Sequence, residues 1–212
     1  MATGFRHLPE VANGDGGCAQ GPGWHTVHAC ACHNPAVPAR PRPILPDVLE
    51  PGLRVVFCGT APGKRSAMEG AYYAHPGNYF WRTLFEVGLT PVRLAPSEYR
   101  RVLDFGIGLT DVAKHHFGAD ADLPMGAFDA ASLRRKLGRY KPRIVAFTSK
   151  NAARAGLAGG SRHLAGGEQD QRIGQCRVFV LSSPSGQARG FWNIEPWREL
   201  ARAVAELQDA SG

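Results

Sequence analysis

Residues 53–81, LRVVFCGTAPGKRSAMEGAYYAHPGNYFW, decide the fold of this chain. Leu53 to Cys58 is a short, continuous apolar run, the pattern of a strand covered on both faces. It breaks into the glycine-proline loop Gly59-Thr60-Ala61-Pro62-Gly63. A polar and aromatic stretch follows, and a helix is expected from Asn78 to Val87, with Phe80, Leu84 and Val87 at helical spacing. A strand that ends in such a loop places a ligand at the carboxyl edge of an α/β sheet. The centre of the loop is Ala61, a side chain that can act neither as acid, base nor nucleophile.

The same pattern recurs further along. Arg143–Phe147 and Cys176–Leu181 read as two more buried strands, and Leu109–Val112 as a strand end or loop. Helices are expected at Pro96–Leu103, Ser132–Leu137, after Ser149-Lys150-Asn151 through Leu157, and at Pro196–Leu207. Strands that alternate with helices imply a parallel sheet between two helical layers. Two loops, 59–77 and 182–193, leave strand ends on one edge of it. Both are rich in Gly, Pro and Ser, so their backbone N–H groups can approach a phosphate or a base. Neither fits a P-loop or a GxGxxG frame, and Ser185 lies in no G-x-S-x-G elbow.

Composition narrows the function classes. The chain has 212 residues and a formal net charge of +7. Arg6, Arg40 and Arg42 balance Glu10, Asp15 and Asp47, so the whole excess falls in residues 48–212. That favours a polyanionic partner, with an ordinary basic enzyme as the plain alternative. Residues 1–47 show no helical or strand period and read as a Pro/Gly-rich disordered arm, followed by one domain over 48–212. No apolar run is long enough to span a membrane and no signal peptide is visible, so a cytoplasmic protein is expected. The odd cysteine count, five, suits free thiols in a reducing compartment. Cys18, His25, His28, Cys30, Cys32 and His33 cluster in the arm, but their spacing fits no common zinc knuckle, and no metal or cofactor is expected.

Four segments taken in order carry a resemblance: GTAPG…YYAHPGNYFW, GIGLTDV, IVAFTSKNA and VFVLSSPSG. Together they resemble the mismatch-specific uracil/thymine DNA glycosylases and the related hypoxanthine-DNA glycosylases of the uracil-DNA glycosylase superfamily. The likeness covers roughly residues 50–207. It implies a three-layer αβα sandwich with a central four-stranded, mainly parallel sheet. It also implies a monomer that acts on double-stranded DNA, flips a base and hydrolyses its N-glycosidic bond. Uracil, or another deaminated or mismatched base, would be the target; hypoxanthine is the alternative.

The resemblance assigns roles that the chemistry can then test. A flipped base needs an aromatic platform and hydrogen-bond partners. Tyr73 matches the family's stacking aromatic, and the backbone at Gly59, Thr60 and Ala61 would hold a base carbonyl. Ser183 stands where relatives carry Asn or His beside the base. Ser185, Gly186, Gln187, Ala188 and Arg189 match the segment that enters the minor groove, with Gln187 or Arg189 filling the gap left by the base. Lys64, Arg65 and Lys150 would touch phosphates. No lysine is implied as a nucleophile, so hydrolysis is preferred over a lyase reaction.

The water-positioning Asn of the mismatch-specific relatives is Ala61 here. Asp111 and Asn78 are the two candidates to replace it. A carboxylate at Asp111 can orient water and stabilise the cationic sugar. Asn78 matches a catalytic position of the hypoxanthine-type relatives, but an Asn ahead of a helix is also a favoured N-cap. His75 is a weaker third candidate, better suited to structuring the loop. Ala61 also keeps alive a protein that binds flipped or abasic sites without cutting. A small nucleotide-binding α/β enzyme is the reading that uses no resemblance.

Overall fold

A computed structural model describes residues 42–157 and 164–209. The arm's cysteine and histidine cluster lies outside the described residues. Five strands form one sheet in the order β2-β1-β3-β5-β4. They are β1 (Val55–Gly59), β2 (Ile107–Asp111), β3 (Ile144–Phe147), β4 (Gly167–Ile173) and β5 (Cys176–Val180). β1, β2, β3 and β5 run parallel, whereas β4 pairs antiparallel with β5. The sheet therefore has one strand more than the four expected. β4 escapes notice because GEQDQRI carries five polar residues and lies largely exposed at the edge of the sheet, where one-sided burial leaves no apolar run.

Among the described residues there are five α-helices: α1 (Lys64–Glu69), α2 (Phe80–Glu86), α3 (Ala130–Tyr140), α4 (Lys150–Leu157) and α5 (Glu195–Asp209). Strand side chains alternate between the two faces. Val55, Phe57, Ile107, Leu109, Ile144, Ala146 and Phe179 pack with α2 and α5 through Phe80, Leu84, Trp197 and Leu200. Cys58, Val145, Phe147, Val178 and Val180 pack with α3 and α4 through Leu133, Leu137, Ala152 and Leu157. Three layers result, as the sequence implies. The helix starts are capped where the sequence offers an oxygen: Asp129 Oδ1 accepts from Ser132 N at 2.7 Å and Ser149 Oγ from Ala152 N at 2.9 Å.

The packed unit takes in residues ahead of 48. Leu45 is buried in the core, and Val48 exchanges two backbone hydrogen bonds with Leu109, both 2.9 Å, covering the free edge of β2. Proline-rich composition hides this attachment, because the segment is held by backbone pairing and two apolar anchors rather than by a periodic element.

Candidate active site

The sheet order puts a topological switch between β1 and β3: the chain proceeds from β1 to β2 on one side and from β3 to β5 on the other. Ligands of open α/β sheets sit outside the carboxyl ends of strands at such a switch. Thr60 and Ala61 follow β1 there, Thr148 and Ser149 follow β3, and Asp111 ends β2. Thr60 Oγ1 lies 3.5 Å from Ser149 Oγ and donates to Asp120 Oδ2 at 3.3 Å. Asn151 Nδ2 also donates to Asp120, at 2.9 Å, so the loop after β2 ties the two sides of the crevice. Asp120 gives no periodic or motif signal in the sequence.

Asp111 pairs in register with Gly59. By alternation it faces the same side as Leu109, toward α2. A Cβ on Gly59 would stand 2.6 Å from Asp111 Oδ1 and 3.5 Å from the Tyr73 hydroxyl. Glycine is thus what lets the carboxylate and the phenol converge on the end of β1. Asp111 is only 3% exposed. Its Oδ2 has no hydrogen-bond partner among the described residues, and Lys114 Nζ stands off at 3.6 Å. Burial pushes the Asp111 carboxyl above the usual carboxylate range; Lys114 pulls it back and Asp47 raises it further.

Beneath this carboxylate lies an ionic network that motif reading misses. Lys114 Nζ contacts Asp47 Oδ1 at 2.9 Å and donates to the Tyr72 hydroxyl at 2.9 Å. Lys136 of α3 reaches Asp47 Oδ2 at 2.7 Å, and Thr110 donates to Asp47 Oδ1 at 2.6 Å. Asp47 therefore bridges two lysines, and although burial opposes it, the two cations and the Thr110 bond hold its carboxyl below the ordinary value. No local pattern in the sequence marks it: Lys136 is one of several cations of α3, and Asp47 stands in a proline-rich segment.

Tyr73 adopts a left-handed backbone, φ +53°, costly for a non-glycine residue. Its ring stacks on Phe80 with centroids 3.8 Å apart, and its hydroxyl lies 3.5 Å from Thr148 Oγ1. Burial, and then the charge of Asp111, hold its phenol well above the usual tyrosine range, so it stays a neutral donor.

The second loop closes on the first. Tyr79 N donates to Pro184 O at 2.8 Å, and a Cβ on Gly186 would sit 3.0 Å from Gly77 O, a tight fit that favours glycine there. Trp192 packs edge-on against Tyr79 at 5.3 Å, and the Arg189 guanidinium lies 5.8 Å from the same ring. Ser183 Oγ accepts from Ser185 N at 3.3 Å, and Ser185 Oγ from Gln187 N at 3.4 Å. The turn Gly186–Phe191 presents Gln187 and Arg189 to solvent, with Ala188 half-buried between them. It also presents Phe191, 88% exposed, a residue that the sequence reading left out because it lies past the matched segment.

Two of the proposed roles meet competing local roles. Asn78 Oδ1 accepts from Phe80 N at 2.9 Å, a local turn just ahead of α2, whose N-cap is Tyr79. His75 Nδ1 accepts from Gly77 N at 3.0 Å, within its own loop. Arg65 pairs with Glu69 one turn along α1, while Lys64 and Lys150 stand exposed at the starts of α1 and α4.

Residues 46–207 match the Uracil DNA glycosylase superfamily. The chain belongs to that superfamily. A solved relative agrees in fold: the solution NMR structure of a protein from Methanosarcina acetivorans, provisionally named a uracil DNA glycosylase. It superposes with a TM-score of 0.55 and 24% sequence identity, over 77% of this chain and 98% of that one. Superfamily membership implies DNA glycosylase chemistry, hydrolysis of a base–sugar bond, with DNA as substrate.

Proposed function

We propose that this glycosylase removes uracil from double-stranded DNA by hydrolysis alone, as a monomer, with Asp111 as its catalytic carboxylate. One observation carries the reading: a buried carboxylate at the carboxyl edge, its Oδ2 held only by a 3.6 Å ion pair with Lys114 and without a hydrogen-bond partner among the described residues, converging with Tyr73 on the end of β1. A carboxylate withdrawn from water interacts strongly with developing positive charge. Asp111 would face the sugar as the bond breaks, and its oxygen would receive a proton from the attacking water. The backbone at Thr60 and Ala61 would hold a base carbonyl, and Ser183 would stand at the base edge.

The paired loops support the DNA-binding half of this reading. Lys64 and Lys150 would contact phosphates around the flipped nucleotide. Gln187 or Arg189 would occupy the vacated stack, and Phe191 would supply the apolar wedge that such turns use to part a base step. Asn78, engaged in the turn ahead of α2, is the weaker candidate for the chemistry. Purified protein should release free uracil from a U:G duplex without cutting the strand. Release of hypoxanthine but not uracil would move the assignment to the hypoxanthine branch. Tight binding of abasic duplex with no base released from either substrate would replace catalysis by recognition.

A further inference from the structure

The amino edge of the sheet carries a feature that glycosylase chemistry does not use. A cleft of about 850 Å³ lies between the end of α3, the start of β3 and the β4–β5 turn. Arg134, Lys141, Arg143, Arg172 and Arg177 line it, and none of the described residues lining it is acidic or aromatic. Arg177 is satisfied by Glu168, through two contacts of 2.7 Å. Arg134 gives one N–H to Leu157 O at 3.1 Å. Lys141, Arg143 and Arg172 are exposed and have no ion-pair partner among the described residues.

Three elements of different chain position thus converge with one sign of charge. Lys141 is held there by its left-handed backbone, φ +47°, which ends α3, and the two-residue turn at Gly174 brings Arg172 and Arg177 to the same wall. The active edge is at the other end of the strands. Asp129, ahead of α3, is bonded to Val112 at that end, and Tyr140 to Gly52 at this one. Four residues of β3 alone separate the edges by about 13 Å, with the whole packed sheet between them. A duplex seated at Asp111 cannot also fill this cleft.

We infer that the cleft binds the phosphate backbone of a second nucleic-acid segment, independently of the glycosylase site. Guanidinium forks and an ammonium suit phosphate oxygens. The lack of lining aromatics leaves no stacking platform, so recognition is of backbone and not of sequence. The chain's own residues 1–47 do not supply a polyanion, since their charges sum to zero.

The test uses full-length protein first saturated with a duplex bearing a tetrahydrofuran abasic site. A labelled, undamaged 20-base-pair duplex is then titrated, and both stoichiometry and salt dependence are read. The parent should bind the second duplex, and Lys141→Glu/Arg143→Glu/Arg172→Glu should weaken that binding at least tenfold. The slope of log affinity against log salt should fall by about 2–3, one counterion per lost phosphate contact. Affinity for the abasic duplex should not change. Equal second-duplex binding by parent and variant overturns the inference. So does a parent that retains polyglutamate at this cleft but no second duplex. Charge-dependent binding of undamaged duplex with no binding of abasic duplex would instead sink the glycosylase assignment and leave the cleft standing.

Discussion

The two loops at the carboxyl edge are built in opposite ways. Around the first, residues 59–79 are locked: Gly59 is pinned between Asp111 and Tyr73, Tyr73 lies on Phe80, and Asn78 holds the turn into α2. Beneath it, Asp47 and Lys114 fix the surroundings of Asp111. Along the second, the turn Gly186–Phe191 contains no buried residue and is held by hydroxyl-to-backbone bonds from Ser183 and Ser185. A packed half can keep a carboxylate poorly solvated and aimed. An exposed half can enter DNA without unfolding anything. The proposed function puts the chemistry at Asp111, behind the packed loop, and DNA insertion on the exposed loop, and substitutions should divide along that line.

The largest effect is expected at Asp111. Asp111→Asn keeps the shape but removes the charge, and single-turnover uracil release should fall by about 10²–10⁴-fold, with DNA affinity retained. The folded state raises this carboxyl's pKa, so it favours the protonated form and the group's contribution to stability is lost as pH rises through the raised value. Asp111→Asn should therefore melt no lower than the parent at pH 8, with any advantage shrinking toward acid pH. A variant that loses activity while holding or gaining stability separates function from packing.

Asp47→Ala should act the other way. It leaves Lys114 and Lys136 without their shared partner. Removing one side of a mostly buried pair should cost roughly 2–3 kcal/mol, discounted from the fully buried case for Asp47's partial exposure. Asp47 has a lowered pKa, so its contribution is present at neutral pH and disappears as pH falls through that value. Thermal melts of parent and variant should converge in acid.

In the exposed half, Phe191→Ala should leave the melting temperature unchanged. Affinity for a U:G duplex should drop about tenfold, equivalent to roughly 1.4 kcal/mol, and Gln187→Ala less. A stability loss at Phe191 would break the division between the loops. The smallest effect is expected at Asn78: Asn78→Ala loses the turn hydrogen bond to Phe80 N and about 1 kcal/mol, with base release within a few-fold of the parent.

Much of this arrangement is legible in the sequence. Apolar runs locate β1, β3 and β5, because strands buried on both faces need no polar alternation. Loop chemistry locates the two loops that meet at Tyr79 and Pro184. The rest depends on long-range contacts with no local pattern. Asp47 joins Lys114 and Lys136 across some 60 to 90 residues of chain, Asp120 bridges Thr60 and Asn151, and β4 is a polar edge strand. Residues 42–47, proline-rich and without period, attach to the domain through Leu45 and Asp47. The role of Phe191 shows only in its exposure.

The central claim is that Asp111 does the work that Ala61 cannot. It is tested most directly by the pH dependence of single-turnover uracil release from a U:G duplex, for the parent and for Asp111→Asn. The parent rate should fall on the acid side with an apparent pKa above the ordinary aspartate value of about 3.9. The residual rate of Asp111→Asn should be far lower and lack that limb. A variant that keeps the parent's rate, or the same acid limb, would contradict the assignment.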